Sequence, residues 1–351
     1  MTAFLASLRR SQPVDLLAAA LSDRVVLAIL AVLIALALIV PGQAAVSVRF
    51  VADALVSVLP FLALAVAVAG FAGASGADGV IARAFAGNQV QAVVAAALVG
   101  ALSPFCSCGV IPLVAALLAA GVPLAPVMAF WIASPIMDPE MFILTAAGIG
   151  TGFAAVKTLA AVSMGLFAGY VTLGLDRAGA LRSPLKQAPR CGCKPSVDTG
   201  AAPAVVWTFW HDPVRRARFR GEVETTGWFL AKWLTFAFLL ESLMVAYVPS
   251  DWIAGLVGAD STFALPLAVL VGMPSYLNGY AAIPLVSGLL DLGMSQGAAL
   301  AFMTAGAVSS IPAAIAVFAL VRHRVFALYL ALGVAGALLS GLALDLSGIV
   351  L

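Results

Sequence analysis

Apolar residues run along nearly the whole chain, interrupted at intervals by short clusters of proline, glycine and charge. After a leader (1–23) in which Arg9 and Arg10 stand beside Leu5, Leu8, Leu16 and Leu17, the first apolar run covers 25–40. The leader reads as interfacial. The run slightly exceeds the usual ~7–15-residue core of a signal peptide and reads as a retained span. A second span covers about 50–71, with Pro60 inside it and Asp53 near its start. Residues 153–175, 226–248 and 325–346 are further runs long enough to cross the ~30 Å core of a bilayer.

The remaining apolar runs are shorter and come in pairs: 89–103 with 109–121, 123–137 with 141–151, 262–273 with 279–292, and 295–308 with 313–321. At about 1.5 Å per residue such arms fall short of a full crossing, so each pair is a re-entrant hairpin or a bent span. Pro104, Gly109, Pro112, Pro135, Pro139, Pro274, Gly279, Pro284 and Pro312 are the residues expected to break the helices. In lipid an unwound backbone survives only when buried in protein or lining a cavity.

The pattern repeats. Ile111-Pro112-Leu113-Val114 recurs as Ile283-Pro284-Leu285-Val286, 172 positions later, and ten of the twenty-five positions from Ile111/Ile283 to Pro135/Ala307 are identical. The order of elements also corresponds: full span, two broken units, full span. This predicts a leader with first span (1–45), a first repeat (46–175), a connecting loop (176–221) and a second repeat (222–351).

Composition narrows the class. The chain is 63% hydrophobic and 10% charged, against about 25% charged residues in a soluble domain, so the expected fold is an all-α polytopic membrane protein. Nine of the eighteen Lys and Arg residues fall in 176–221, which should therefore be cytoplasmic, as should the Arg9/Arg10/Arg24 and Arg322/Arg324 ends. An even number of crossings must separate these basic sites. That requires one broken unit of each half to cross and the other to be a hairpin. The repeats are then inverted, with about seven full spans plus hairpins, in a bacterial cytoplasmic (inner) membrane. Arg215–Arg220 is expected to meet anionic lipid. No nucleotide-binding loop is present, so ATP hydrolysis is not expected. No cofactor and no nucleic-acid partner is implied.

The four cysteines form two Cys-x-Cys pairs, Cys106/Cys108 and Cys191/Cys193. Thiols two residues apart do not share a helix face, so Cys106 and Cys108 grip one atom only where the chain is unwound. Two thiolates suit a soft metal or metalloid. At the repeat offset Cys106, Ser107 and Cys108 correspond to Asn278, Gly279 and Tyr280, so the second break offers an amide and the phenols of Tyr276 and Tyr280. Met128, Met137 and Met273 read as apolar filler more than as thioether ligands. Asp138 and Glu140 are the leading candidates for handling a coupling proton, followed by Glu241 and then Asp291, because intramembrane carboxylates are costly. Lys157 and Lys232 are expected to snorkel. Cys191 and Cys193 are read as a cytoplasmic capture pair. His211 and His323 read as interfacial.

The run Ser103-Pro104-Phe105-Cys106-Ser107-Cys108-Gly109-Val110-Ile111-Pro112, the repeated Ile-Pro-Leu, and Gly272-Met273-Pro274 with Tyr276 and Gly279 together resemble the predicted permease family that includes ArsP-type organoarsenical exporters and Cu/Zn-type efflux permeases. The resemblance implies export of a trivalent arsenical or soft metal ion from a bacterial cytoplasm. Asn278 stands where some relatives are expected to have cysteine, which favours a cargo satisfied by two sulfurs. A carrier of sulfur-containing or other small anions is the alternative. A membrane thiol oxidoreductase fits less well, lacking a Cys-x-x-Cys pair.

Overall fold

A computed structural model describes residues 23–76, 87–103, 110–179, 206–247, 263–273, 279–291, 293–309 and 311–349. The first half contains α1 (Arg24–Ile39), α2 (Pro41–Ser75), α3 (Gln89–Leu102), α4 (Val110–Ala119), α5 (Leu124–Ala133), α6 (Pro139–Gly148) and α7 (Thr151–Arg177). A single turn of 3-10 helix, Phe209–His211, leads into α8 (Pro213–Tyr247), α9 (Ala264–Gly272), α10 (Gly279–Asp291), α11 (Gln296–Ser309), α12 (Ile311–Leu320) and α13 (His323–Ser347).

Three helical stretches, Pro41–Pro60, Thr151–Arg177 and His323–Ser347, are long and apolar enough to cross a membrane. Only 6% of the residues in the first stretch's most apolar window are buried, and an apolar surface of that extent is stable only against lipid. The protein is an all-α polytopic membrane protein. One boundary differs from the sequence expectation. The first run does end before Pro41, with α1 stopping at Ile39, but the second span, expected from about residue 50, starts at Pro41 itself, and α2 runs 35 residues from it. A proline in the first turn lacks only an N–H that the helix leaves unbonded.

The helix bounds recur at the 172-residue offset. Pro41 and Pro213 open helices of 35 residues each, and Pro139–Gly148 maps onto Ile311–Leu320. Side-chain packing recurs with them. A Cβ on Gly100 would lie 2.9 Å from the Phe130 carbonyl oxygen, and one on the equivalent Gly272 would lie 2.7 Å from that of Phe302. Gly169 lies against Val93 and Ala129, and its equivalent Gly341 lies against Leu265 and Ala301. The turns after α4 and α10 match as well. Gly121 (φ 87°) and Gly293 (φ 94°) donate to Leu118 and Leu290, while Val122 and Met294 reach back to Leu117 and Leu289. A left-handed residue that ends a helix in this way favours glycine.

The two halves run in opposite senses. Gly70, late in α2, packs on Val223 and Phe219, early in α8, and the Arg215 guanidinium donates to the carbonyls of Ala74 (3.1 Å) and Ser75 (2.9 Å). Position rises along α2 as it falls along α8, so these equivalent helices are antiparallel. Asp212 caps α8, accepting from Val214 N–H at 2.9 Å, and Phe209, Trp210, Phe219 and Phe71 stack around the junction. Continuing that register puts Pro60 level with Lys232, midway along the pair.

Glycine contacts also show which broken unit turns back. Along α7, Gly169 meets Val93 and Ala129, and Gly165 meets Ala97, Ala129 and Ala133. Thus α3 and α5 run parallel to one another and antiparallel to α7. Only four residues join α4 to the start of α5, so α4 returns to the end from which α3 set out. The α3–α4 unit is a hairpin that enters and leaves at one end. The α5–α6 unit continues to the start of α7 and crosses. By the matching contacts α9–α10 re-enters from the opposite end, and α11–α12 crosses.

Candidate functional site

The described ends of α3 and α5 lie near the middle of the bundle. There α7 and α13 cross at Met164 and Gly336, positions equivalent at the repeat offset, and a Cβ on Gly336 would lie 3.0 Å from the Met164 Cε. From the register on α7, the ends of α3 and α5 lie level with the stretch of α7 between Gly165 and Lys157. Ser103 (8% exposed), Ser134 (1%) and Ser309 (6%), at the ends of α3, α5 and α11, are buried there. Ser103 and Ser309 donate their hydroxyls to the carbonyls of Val99 and Ala305, so their polarity is spent on their own helices.

Asp138 follows the α5 end. Its Oδ1 accepts from the Met141 N–H at 2.7 Å, capping α6, and Pro139 fills the first helical position. Asp138 is thus a cap, as Asx-Pro at a helix start requires, while its second oxygen stays uncommitted to that role. Glu140, in the same first turn, is exposed. Glu241 on α8 is buried, and its Oε2 has no hydrogen-bond partner. Asp291 is exposed at the end of α10.

The snorkelling expected of both spanning lysines does not occur. Lys157 is 2% exposed. It shares one face of α7 with the buried Ala154, Ala161, Met164, Gly165 and Ala168, and the small residues of that face draw the helix inward. Lys232, on α8, forms an ion pair with Asp23, the residue that caps α1. That pair ties α1 to the centre of α8. The position equivalent to Lys157 is Tyr329, buried, stacked on Trp131 with ring centroids 4.7 Å apart, and donating its hydroxyl to the Val308 carbonyl. Pro312 lacks the N–H that would have bonded this carbonyl, and Tyr329 takes its place. Lys157, Tyr329, Trp131 and Asp23 were not singled out from the sequence as working residues. The mixture of Lys157 with small residues at helical spacing was the signal available.

Several other sequence-derived positions correct or fall outside this description. Pro112 is buried within the first turn of α4 and Pro284 lies inside α10, so neither breaks its helix. Pro312 is the second residue of α12, a helix start like that at Pro139. Pro135 lies in the interruption between α5 and α6. Gly279 and Tyr280 open α10. Pro104, Cys106, Ser107, Cys108, Gly109, Cys191, Cys193, Pro274, Tyr276 and Asn278 lie outside the described residues. Cys106 and Cys108 belong to the connection from α3 to α4, whose start is the buried Ser103. Met128 and Met137 are fully buried in the core, as filler should be. Among the described residues no group of three or more His, Cys, Asp or Glu side chains is placed to hold a metal ion.

Interrupted helices in two oppositely directed halves are a recurring build of membrane transporters. Residues 43–346 match the ArsP-type family described as predicted permease, and the chain belongs to that family. It is 34% identical over 102 residues to the UPF0718 protein YcgR of Bacillus subtilis, covering 29% of this chain and 35% of that protein. It is 24% identical over 263 residues to the UPF0718 protein MJ0584 of Methanocaldococcus jannaschii, covering 62% of this chain and 72% of that protein. The match thus spans about a third of YcgR's length. No solved structure matches the chain.

Proposed function

We propose that this permease is a secondary carrier, a transporter rather than an enzyme, that exports a thiophilic metalloid or soft metal ion, held by Cys106 and Cys108 between the ends of α3 and α4. A trivalent monomethyl arsenical loses two hydroxyls as two water molecules when two thiols bind it, which leaves a neutral dithiolate adduct; Cu(I) binds two thiolates directly. Asn278, Tyr276 and Tyr280 face the cargo from the second break, with Ser107 beside the thiols. The basic stretch 176–221 lies in the cytoplasm, at the end where α3–α4 enters, so cargo loads there. Cys191 and Cys193 collect it from cytosolic thiols. Asp138 couples export to proton entry, and the membrane is the bacterial inner one. Of the arginines offered to anionic lipid, Arg215 is engaged with α2 and Arg220 with Glu224, and Arg216 is an exposed contact.

The observation that supports this most is the end of α3 at the buried Ser103, level with the interruption of α5–α6; Cys106 and Cys108 follow it by three and five residues in the sequence. The test is resistance to monomethyl arsenical, arsenite, copper, zinc and cadmium in a sensitised bacterial host. Cys106→Ser and Cys108→Ser should each abolish resistance at unchanged expression, and full resistance in both variants removes the reading. The buried Lys157 supports a second reading, carriage of a sulfur-containing anion. Competition by oxyanions, and not by arsenicals or metals, in vesicle uptake would select it.

A further inference from the structure

Lys157 is a cation buried deep in a membrane protein, and no structural task accounts for it. It is 2% exposed. Among the described residues no hydrogen bond or ion pair holds its ammonium, in contrast to Lys232, which Asp23 neutralises. Its equivalent in the second half, Tyr329, is committed to the Val308 carbonyl. An intramembrane lysine with no fixed partner marks an ion or proton path by default.

The charged groups on the helices packed against α7 can be taken in turn. Among the described residues α3, α5 and α11 carry none. On α13, His323 and Arg324 stand at one end and Asp345 at the other, where Asp345 accepts from the Gly297 N–H at 2.8 Å and from the Ser295 hydroxyl at 3.1 Å. On α6, Glu140 is exposed. Among the described residues there remains Asp138, which caps α6 in the interruption just past the α5 end, level with the Gly165–Lys157 stretch of α7. Its Oδ1 holds the Met141 N–H, and Oδ2 is available to a proton.

We propose that Lys157 and Asp138 work as one proton-coupling pair, with Asp138 binding and releasing the coupling proton and Lys157 balancing the carboxylate whenever the proton has left. The step forms and later breaks one O–H bond at Asp138 Oδ2; the proton arrives from one side of the membrane and leaves to the other, and the Lys157 ammonium keeps its own protons throughout. Lys157 acts through Asp138 and is a positioning residue. The proposal rests on the reading of the chain as a proton-coupled carrier with its site at the interruptions.

The test uses the full-length protein in liposomes, with a monomethyl trivalent arsenical and Cu(I) as probes. Net flux driven by a pH gradient is compared with probe-for-probe exchange, which needs no proton movement. Lys157→Gln and Asp138→Asn should each lower net flux by about tenfold or more while exchange stays within about twofold, and Lys157→Arg should restore net flux. A merely structural lysine would lower both fluxes together. Lys157→Gln with net flux intact, or with exchange lost in equal measure, overturns the proposal. If the single variants fail to fold, the neutral double variant Lys157→Gln/Asp138→Asn decides: exchange without net flux supports the pair, and wild-type net flux removes it. If the wild type moves neither probe, the cargo reading fails by itself. Thermal stability in detergent then tests the pair: a loss in Lys157→Gln that Asp138→Asn relieves supports it, and additive losses overturn it.

Discussion

Adding one methyl group at Gly100 or Gly272 tests how tightly the hairpins are held against the crossing units. A Cβ at Gly272 would sit 2.7 Å from the Phe302 carbonyl oxygen and 3.2 Å from its Cα; at Gly100 the distances to Phe130 are 2.9 and 3.2 Å. Both neighbours are backbone and cannot rotate aside. Restoring an ordinary 3.4 Å separation means moving one helix from the other by about 0.5–0.7 Å along its contact, and forced repacking of this kind costs about 1–3 kcal/mol. Alanine's better helix propensity returns about 0.5–1 kcal/mol, which leaves a net loss of about 0–2.5 kcal/mol, or about 1–3 kcal/mol against a glycine-to-alanine change made without the clash. Gly227→Ala is the control, since nothing lies within 4 Å of its would-be Cβ, and it should be neutral or slightly stabilising. Unfolding by SDS titration in mixed micelles reads all three. If Gly100→Ala and Gly272→Ala both match the control, the close approach of α3 to α5 and of α9 to α11 is wrong. If only one of them loses stability, the equivalence of the two halves fails.

Tyr329→Phe keeps the ring on Trp131 but leaves the Val308 carbonyl without its donor, and should cost about 1–2 kcal/mol in the same titration; a neutral result would show that another donor serves that carbonyl. Arg215→Ala exposes the last carbonyls of α2 and should cost a similar ~1–2 kcal/mol, with Arg215→Lys recovering only part because the guanidinium serves both carbonyls through Nη1 while its Nε faces Asp212 at 3.5 Å, and a single ammonium nitrogen cannot reach both sets of partners. Ala119 and Asp291 are exposed equivalents at the ends of α4 and α10. Cysteines placed there in a background stripped of the native four should react with a membrane-impermeant maleimide from opposite faces of the membrane. Labelling of both from one face would refute the opposed sense of the halves.

The sequence carried the duplication well because its most legible residues are those with the strictest backbone demands. Gly121 and Gly293 are left-handed helix stops, and Ile-Pro-Leu-Val marks the start of each returning arm. The direction of each arm was not legible. Hydropathy reports how far an arm reaches and says nothing about which neighbour it follows; the small-residue contacts of Gly165 and Gly169 do. That Pro41, just past the end of α1, also opens α2 was not read, because proline is equally at home just after one helix and at the first position of the next. Lys157 was misread as a snorkelling residue because composition cannot tell the lipid side of a helix from the packed side, although the spacing Ala154, Lys157, Ala161, Gly165, Ala168 held that information.

The difference between the halves is the part of this molecule most closely tied to function, because the scaffold they share cancels out of the comparison. In the second half Pro312 removes the donor for the Val308 carbonyl, and Tyr329 is spent on replacing it. In the first half the proline that opens the following arm, Pro139, sits one position earlier than the equivalent of Pro312, so the carbonyl it deprives of a donor is also displaced by one residue. The side chain at 157 inherits no such duty. A position that packing keeps buried and hydrogen bonding leaves unassigned would favour an apolar residue on stability alone, since a buried unpaired ammonium costs several kcal/mol. A lysine there costs stability in exchange for charge, and the expense falls on the half whose interruption also carries Asp138 and the two cysteines. Alternation between oppositely directed halves requires that they fold alike. In this chain the two halves differ chemically, and the lysine at 157 against the tyrosine at 329 marks that difference on the equivalent helices α7 and α13.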